Sequence, residues 1–491
     1  MLNYLIAFGI TLAASIAVTT TLAADAAKPN IVVILADDLR ADCIGAVNPR
    51  IHTPNIDRIA RRGVRFDNAY IMGGNCAAVC TPSRVMLMTG RTLFNLPNDI
   101  YAEGNKPSLP VMSTVFRQAG YDSLYCGKHG NTYRPANRSF DKFVNLGHPG
   151  AKKKSEEEAF YASPVTSWLA APARQDKPFF VFYAPSIPHD PLCPLPEDLA
   201  RYAGDKCPPL PPNAAAQHAD VAGFNLHDTN IRTFDVPGMG KFKTPLDLKQ
   251  WPQVIAHYYA YTTLLDRQVG RILDELERTG ADKNTIIVFT SDNGHSFADQ
   301  GLIHKQSVYE QDIRVPMIVA GPGIPAGKVS DAFVYISDLF PTLCEKIGTP
   351  TPDTVRTMSF LPTLLDPAKP HRPNLYFMYA NILFAQKLGR DNDEMRAYRD
   401  DQYKIILFNN QCVRLFDLKA DPYERKDLSK DQPGRVAAMI KQARQAGKAL
   451  GEEQAKMKFW QLFDGKIPQS SAATKTAKPA TRATPHPVEK K

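Results

Sequence analysis

Asp37 and Asp38 stand side by side, and Asp292 is followed by Asn293, so both pairs offer oxygen donors with no thiolate or imidazole among them. Such a set suits a hard divalent cation far better than zinc. Calcium tolerates irregular, oxygen-rich coordination and is the expected ion, with magnesium the lesser alternative. Each pair also has an ordinary reading: adjacent aspartates cap helices or solvate loops, and Asp292-Asn293-Gly294 can be a plain turn. Cys80-Thr81-Pro82-Ser83-Arg84 is the third chemical feature. A thiol phosphatase loop is excluded, because it needs five residues between cysteine and arginine and only three separate Cys80 from Arg84.

These residues need elements to position them. Asn30–Ala36 is a short apolar run rich in β-branched residues, ending directly in Asp37-Asp38. It reads as a strand buried on both faces, of the parallel α/β kind. Pro178–Ala184, Thr285–Thr290 and Val315–Ala320 have the same character. Between them Val254–Thr279 carries apolar residues at helical spacing and stops at Gly280. The expected fold is α/β, a mostly parallel central sheet flanked by helices. Ligands of such sheets bind beyond the carboxyl ends of the strands. Asp37-Asp38, His189 and Ser291-Asp292-Asn293 all follow strand ends, so carboxylates, an amide and an imidazole converge there; that convergence favours a metal over a cap or a turn. Beyond about residue 375, closely spaced strand-like segments at 374–379, 395–399, 403–408 and 413–417 predict a smaller antiparallel-sheet α+β domain, closed by a helix over 433–451.

The chain has 491 residues, enough for a large core and a second small domain. Residues 2–23 are nearly uncharged and lead into Ala24-Asp25-Ala26, which reads as a signal peptide (1–26) and predicts export to the periplasm or medium; a retained membrane anchor is the competing reading. The expected divisions are 28–373 for the main domain, 374–465 for the smaller one, and 466–491 for a disordered basic tail. That tail carries six Lys or Arg against one Glu, so it holds about +5 of the net charge of +9. A basic balance suits anionic substrates, and no nucleic-acid motif accompanies it. The run Lys152–Glu158 reads as a solvated helix start. Among eight cysteines no zinc-type C-x-x-C pair occurs, and Cys193 with Cys207 is the candidate disulfide of an exported chain.

The Cys-x-Pro-x-Arg pattern at Cys80–Arg84 resembles that of the type I sulfatases, in which a maturation enzyme oxidises the cysteine to formylglycine. The resemblance extends, in order, through Val33–Leu39, Thr89-Gly90-Arg91, Gly127-Lys128-His129, Pro188-His189 and Ser291–Gly294. It continues through His304-Lys305-Gln306, Tyr309-Glu310, Arg314-Val315-Pro316 and Leu415–Glu424. It implies an alkaline-phosphatase-like fold with Asp37, Asp38, Asp292, Asn293 and the modified Cys80 around one calcium ion. It further implies that Arg84 holds the hydrated aldehyde, that Lys128 and Lys305 bind sulfate oxygens, and that His129 and His189 move protons at the nucleophile and leaving group. One departure stands out: the family reads Gly-Lys-Trp-His-Leu-Gly, whereas Gly127-Lys128-His129-Gly130 lacks the residue between lysine and histidine. In an extended segment that deletion turns the histidine by about half a turn.

The expected function is hydrolysis of an organic sulfate ester, with a sulfated small molecule or glycan as substrate and the formylglycine-generating enzyme as maturation partner. A phosphonate or phosphate monoester hydrolase shares the nucleophile and metal, and a single metal site without histidine ligands leans towards sulfate. An inactive sulfated-glycan binder has no need of the modification motif. Loops around 93–108, 131–160 and 205–250 are expected to shape the leaving-group pocket.

Overall fold

The computed structural model describes residues 28–76, 78–147, 161–171, 177–214, 234–236, 239–242, 248–380, 394–453 and 458–464. The leader, the 152–158 helix start and the basic tail lie outside the described residues, as do parts of the 131–160 and 205–250 loops.

The main sheet has eight strands: β1 (Asn30–Ala36), β2 (Gly63–Phe66), β3 (Asp122–Gly127), β4 (Lys142–Asn145), β5 (Phe179–Ala184), β6 (Thr285–Ser291), β7 (Met317–Ala320) and β8 (Lys328–Ser330). They lie in the order β8-β2-β7-β6-β1-β5-β3-β4. β1 sits in the middle, in parallel register with β6 (Ala36 beside Ser291) and with β5 (Ile34 beside Tyr183). Its alternate side chains serve two cores. Ile31, Val33 and Leu35 join one apolar cluster, while Val32, Ile34 and Ala36 join the other, so a continuous apolar run is what this position requires.

The Val315–Ala320 segment departs from expectation. Its strand begins only at Met317 and runs antiparallel to both β6 and β2, while every other pairing in the sheet is parallel, so the sheet is mostly parallel as expected. An apolar run records burial on two faces, not strand direction.

Two helices matter most for the site. α1 (Cys80–Thr89) is buried along its whole length and ends at Gly90, whose φ of 62° is the left-handed conformation of a helix stop. α2 (Trp251–Arg278) covers one face of the sheet with Tyr258, Leu265, Val269 and Ile272, and the chain turns at Gly280 with φ 73°.

The second sheet contains β9 (Leu375–Ala380), β10 (Glu394–Arg399), β11 (Tyr403–Phe408) and β12 (Val413–Asp417), antiparallel as expected. One face, through Ile405, Leu407 and Leu415, packs under α3 (Pro433–Ala449). The other, through Phe377, Ala397, Ile406 and Phe416, merges with the main core. Its edge is completed by Gly73-Gly74, which pairs in parallel with β9 six residues before Cys80. A Cβ on Gly73 would meet the carbonyl oxygen of Met378 at 2.0 Å, so only glycine allows this approach. The Cys80 loop is thereby stitched to the C-terminal sheet.

All eight cysteines are described and no disulfide joins any two, which corrects the Cys193–Cys207 pairing. Cys193 is buried beyond the end of β5, while Cys207 lies partly buried past three short helical segments. Sharing a proline-rich loop did not bring the two sulfurs together. Among the described residues no helix is long and apolar enough to cross a membrane.

Candidate active site

Four neighbouring strands, β6, β1, β5 and β3, end on the same side and deliver the candidate residues. Asp37 and Asp38 follow β1, Asp292 and Asn293 follow β6, His189 follows β5 and Lys128 follows β3. The strand-end amides are locked to neighbours: Asp37 N–H donates to Ile187 O, Asp292 N–H to Ala36 O, and Lys128 N–H to Ala184 O. Asp38 takes a left-handed backbone, φ 69°, a strained conformation that aspartate tolerates better than most residues. It is held there by its own N–H on Asp292 Oδ1 (3.1 Å) and by Tyr258 Oη–H on its carbonyl (2.7 Å).

Cys80 opens α1, and Arg84, four residues on, lies on the same helix face. Pro82 falls in the first turn, where a missing N–H costs no helical hydrogen bond. Ser83 Oγ–H donates to the Asp292 carbonyl at 2.5 Å and ties the helix to the β6 end.

The side chains converge on the Cys80 sulfur. Lys305 Nζ donates to it at 2.9 Å and Lys128 Nζ lies 3.8 Å away; Asp37 Oδ1 and Asp38 Oδ1 stand at 3.4 and 3.7 Å. Lys128 pairs with Asp37 and Lys305 with Asp38, both at 2.5 Å, and Arg84 Nε donates to Asp292 Oδ2 at 2.8 Å. Three buried carboxylates thus face three buried cations. Burial raises the Asp37 carboxyl, but Lys128, His189, Arg84 and Lys305 outweigh it and hold the group well below the usual carboxylate range. Burial, and next Asp292, push the Cys80 thiol well above its ordinary value, so the thiol stays protonated at neutral pH and is a poor nucleophile.

Two acceptors at the centre are left over. Asn293 Nδ2 donates to Asp38 Oδ1 at 2.7 Å, while Asn293 Oδ1 and Asp38 Oδ2 are buried and accept no hydrogen bond. Buried acceptors without partners are costly, and a cation shared by these oxygens removes that cost. Asp37, Asp38, Asp292 and Asn293 therefore fit a hard divalent ion. Such an ion would give the balanced carboxylate and cation set an excess of about two positive charges, an environment for an anion. Arg84 Nη2 also makes no hydrogen bond and remains as a donor.

His189 Nδ1 lies 2.7 Å from the Asp190 carbonyl and 3.1 Å from Asp190 Oδ1, with Nε2 3.6 Å from Asp38 Oδ2. Nδ1–H donates to Asp190, which turns Nε2 inward. His129 is not brought to the sulfur. Its Nε2 lies 3.0 Å from Arg138 Nη2, its ring packs edge-on against Phe143, and it bonds to no member of the cluster.

Sequence reasoning left His295 without a role and did not connect it to His304 and Asp190, which lie together beside the main cluster. It also missed Ser83 and Tyr258, whose hydroxyls hold the metal-side loops. A helix tyrosine in an apolar stripe gives no signal that its hydroxyl reaches a strand end.

Residues 29–349, more than half of the chain, match the Sulfatase family. The chain belongs to the sulfatase family. Residues 298–449 of this sulfatase also match the C-terminal region of N-sulphoglucosamine sulphohydrolase. It is similar to an N-acetylglucosamine-6-O-sulfatase of Bacteroides thetaiotaomicron, 26% identical, with 82% of each chain covered. Among solved structures it resembles one in complex with its substrate D-glucosamine-2-N,6-O-disulfate (TM-score 0.69, 22% identity, 88% of this chain and 100% of that one). It also resembles the phosphonate monoester hydrolase of Agrobacterium radiobacter (TM-score 0.72, 21% identity, 86% and 96% covered). The alkaline-phosphatase-like α/β fold with a C-terminal antiparallel sheet is shared with these structures.

Proposed function

We propose that this sulfatase releases sulfate from a sulfated sugar or glycan, using residue 80 as formylglycine and a bound calcium ion, after export and removal of its leader. The observation that carries the reading is the Cys80 sulfur at the focus of Lys128, Lys305, Asp37 and Asp38. The glycan is supported by the relative that acts on N-acetylglucosamine-6-O-sulfate and by the glucosamine disulfate bound in the similar structure. Oxidised to formylglycine, residue 80 supplies a hydrated aldehyde, a nucleophile that can discharge sulfate by reverting to the carbonyl instead of requiring water to attack sulfur. Calcium on Asp37, Asp38, Asp292 and Asn293 supplies positive charge beside that nucleophile.

The chain's own groups do the remaining work. Lys128 and Lys305 hold the non-bridging sulfate oxygens and carry the charge that grows on them. Arg84, anchored through Nε on Asp292, offers its second nitrogen to the hydrated aldehyde. His189, oriented by Asp190, protonates the departing sugar oxygen. The shared resemblance assigns His129 to the second proton transfer; its contacts with Arg138 and Phe143 do not support that role.

The test is mass analysis of the peptide containing residue 80 in natively matured protein, paired with sulfate release from a panel of sulfated sugars. Modification together with release is expected. Full activity of protein carrying an unmodified thiol overturns the reading. A second reading, hydrolysis of a phosphonate monoester, is favoured by the likeness to the Agrobacterium enzyme. It prevails if kcat/KM for phosphonate monoesters exceeds that for every sulfate in the panel.

A further inference from the structure

Beside the main cluster, but distinct from it, Asp190, His295 and His304 bring one carboxylate oxygen and two imidazole nitrogens within 4.8 Å of one another. We propose that these three residues form a second cation site, for a transition metal of the zinc class. The donor set differs in kind from Asp37, Asp38, Asp292 and Asn293. Two imidazoles and a carboxylate select a borderline ion, whereas the oxygen-only set selects calcium.

Local structure prepares the ligands. His295 Nδ1–H donates to the Ser296 carbonyl at 2.8 Å, which fixes the neutral tautomer with the lone pair on Nε2. Its ring is stacked on Phe297 at 4.3 Å between centroids, and stands at 68° to the His304 ring, 5.6 Å away. His304 comes from the facing strand of a short hairpin, paired opposite Ser296. Its backbone is left-handed, φ 71°, a cost that the hairpin bears at this position. Asp190 reaches His189 with Oδ1 at 3.1 Å, so its carboxylate is braced from the other side. Both histidines are buried and Asp190 is partly exposed, which gives an ion an open side for water or substrate. Tetrahedral bonds of about 2.0–2.2 Å set ligand atoms about 3.3–3.6 Å apart, so donors now within 4.8 Å of one another close in by up to about 1.5 Å when an ion binds.

The place of the site has a chemical meaning. Asp190 adjoins His189 and His304 adjoins Lys305, so a second cation would sit where the leaving oxygen departs. It would extend the reach of the centre towards dianionic phosphate and phosphonate groups.

The experiment reads metal content and not turnover, so its result is independent of the sulfatase reading. Full-length protein is stripped with chelator, saturated with calcium, and titrated with zinc or with cobalt as a coloured substitute. One equivalent of zinc is expected in addition to calcium, and X-ray absorption at the zinc edge should show two imidazoles and no sulfur. His295→Gln and His304→Gln should each weaken zinc binding by about 100-fold or more, with calcium binding retained. The edge spectrum of the wild type decides the matter even where a variant fails to fold. No second equivalent, zinc bound through the Cys80 sulfur, or zinc binding unchanged in folded variants overturns the proposal.

Discussion

Lys305 Nζ lies 2.5 Å from Asp38 Oδ1 and 2.9 Å from Cys80 Sγ, so one buried ammonium joins a candidate metal ligand to the candidate nucleophile. The pair comes from residues 267 positions apart in the chain. Burial opposes the Lys305 charge, but Asp38, with Asp37 and Asp292, more than compensates and holds its pKa above the ordinary lysine value. Lys305→Met should therefore remove a charge that is present at every working pH. The expected loss is about 10²- to 10³-fold in kcat/KM for sulfate release, with KM changing less than kcat.

Cys80→Ala should abolish turnover, leaving the circular-dichroism spectrum unchanged, because a buried side chain at the first turn of α1 shrinks without loss of a helix bond. Turnover within about tenfold of wild type would remove residue 80 from the chemistry.

His189→Ala and His129→Ala separate two histidines that motif matching treats alike. The first should cost about 10²- to 10⁴-fold in kcat on substrates with poor leaving groups, and much less where the leaving group needs no proton. The second should cost less than about tenfold, because His129 bonds to Arg138 and not to the cluster. Equal losses would show that the shortened Gly127–Gly130 segment closes onto the site when substrate binds.

Exhaustive chelation should abolish activity and lower the melting temperature, and calcium should restore both. Without a cation, Asn293 Oδ1 and Asp38 Oδ2 stay buried without hydrogen bonds and three carboxylates crowd one another. Unaltered melting and activity after chelation would exclude a metal at these residues.

Asp312 gives a prediction for pH. Burial raises its carboxyl to about 7, against hydrogen bonds from Ser307 and Ser296 that lower it. Its hydroxyl donors, Ser296 and Ser307, lie at the two ends of the 296–307 hairpin that carries His304 and Lys305. The folded state thus binds a proton that the unfolded chain releases near pH 4. This contribution is full below pH 4 and is lost as pH rises through about 7, so stability should fall across that window. Urea unfolding at a series of pH values should show the decline, and Asp312→Asn should flatten it.

Much of the molecule was legible in one dimension for a local reason. β1, β5 and β6 are buried on both faces, so their composition alone marks them, and in parallel sheets the residues just past such strands face the ligand side. Asp37, Asp38, Asp292, Asn293 and His189 were found that way. The four strands and closing helix of the smaller domain announced themselves by spacing and alternation. The direction of β7 was not legible, because burial is the same whichever way a strand runs. Nor was the pairing of Gly73-Gly74 with β9, for two glycines carry no side-chain pattern.

Residue types and their order were enough to suggest the donor chemistry, oxygen ligands that fit a hard cation and cations that fit an anionic group, while the modification of Cys80 rests on the family resemblance. Which of those residues meet is a property of long-range packing. Lys305 reaches Cys80 through the 296–307 hairpin, His129 meets Arg138 instead of the cluster, and Asp190, His295 and His304 assemble from two loops. Contacts between distant segments depend on backbone turns and sheet register, which leave no local trace in composition or periodicity.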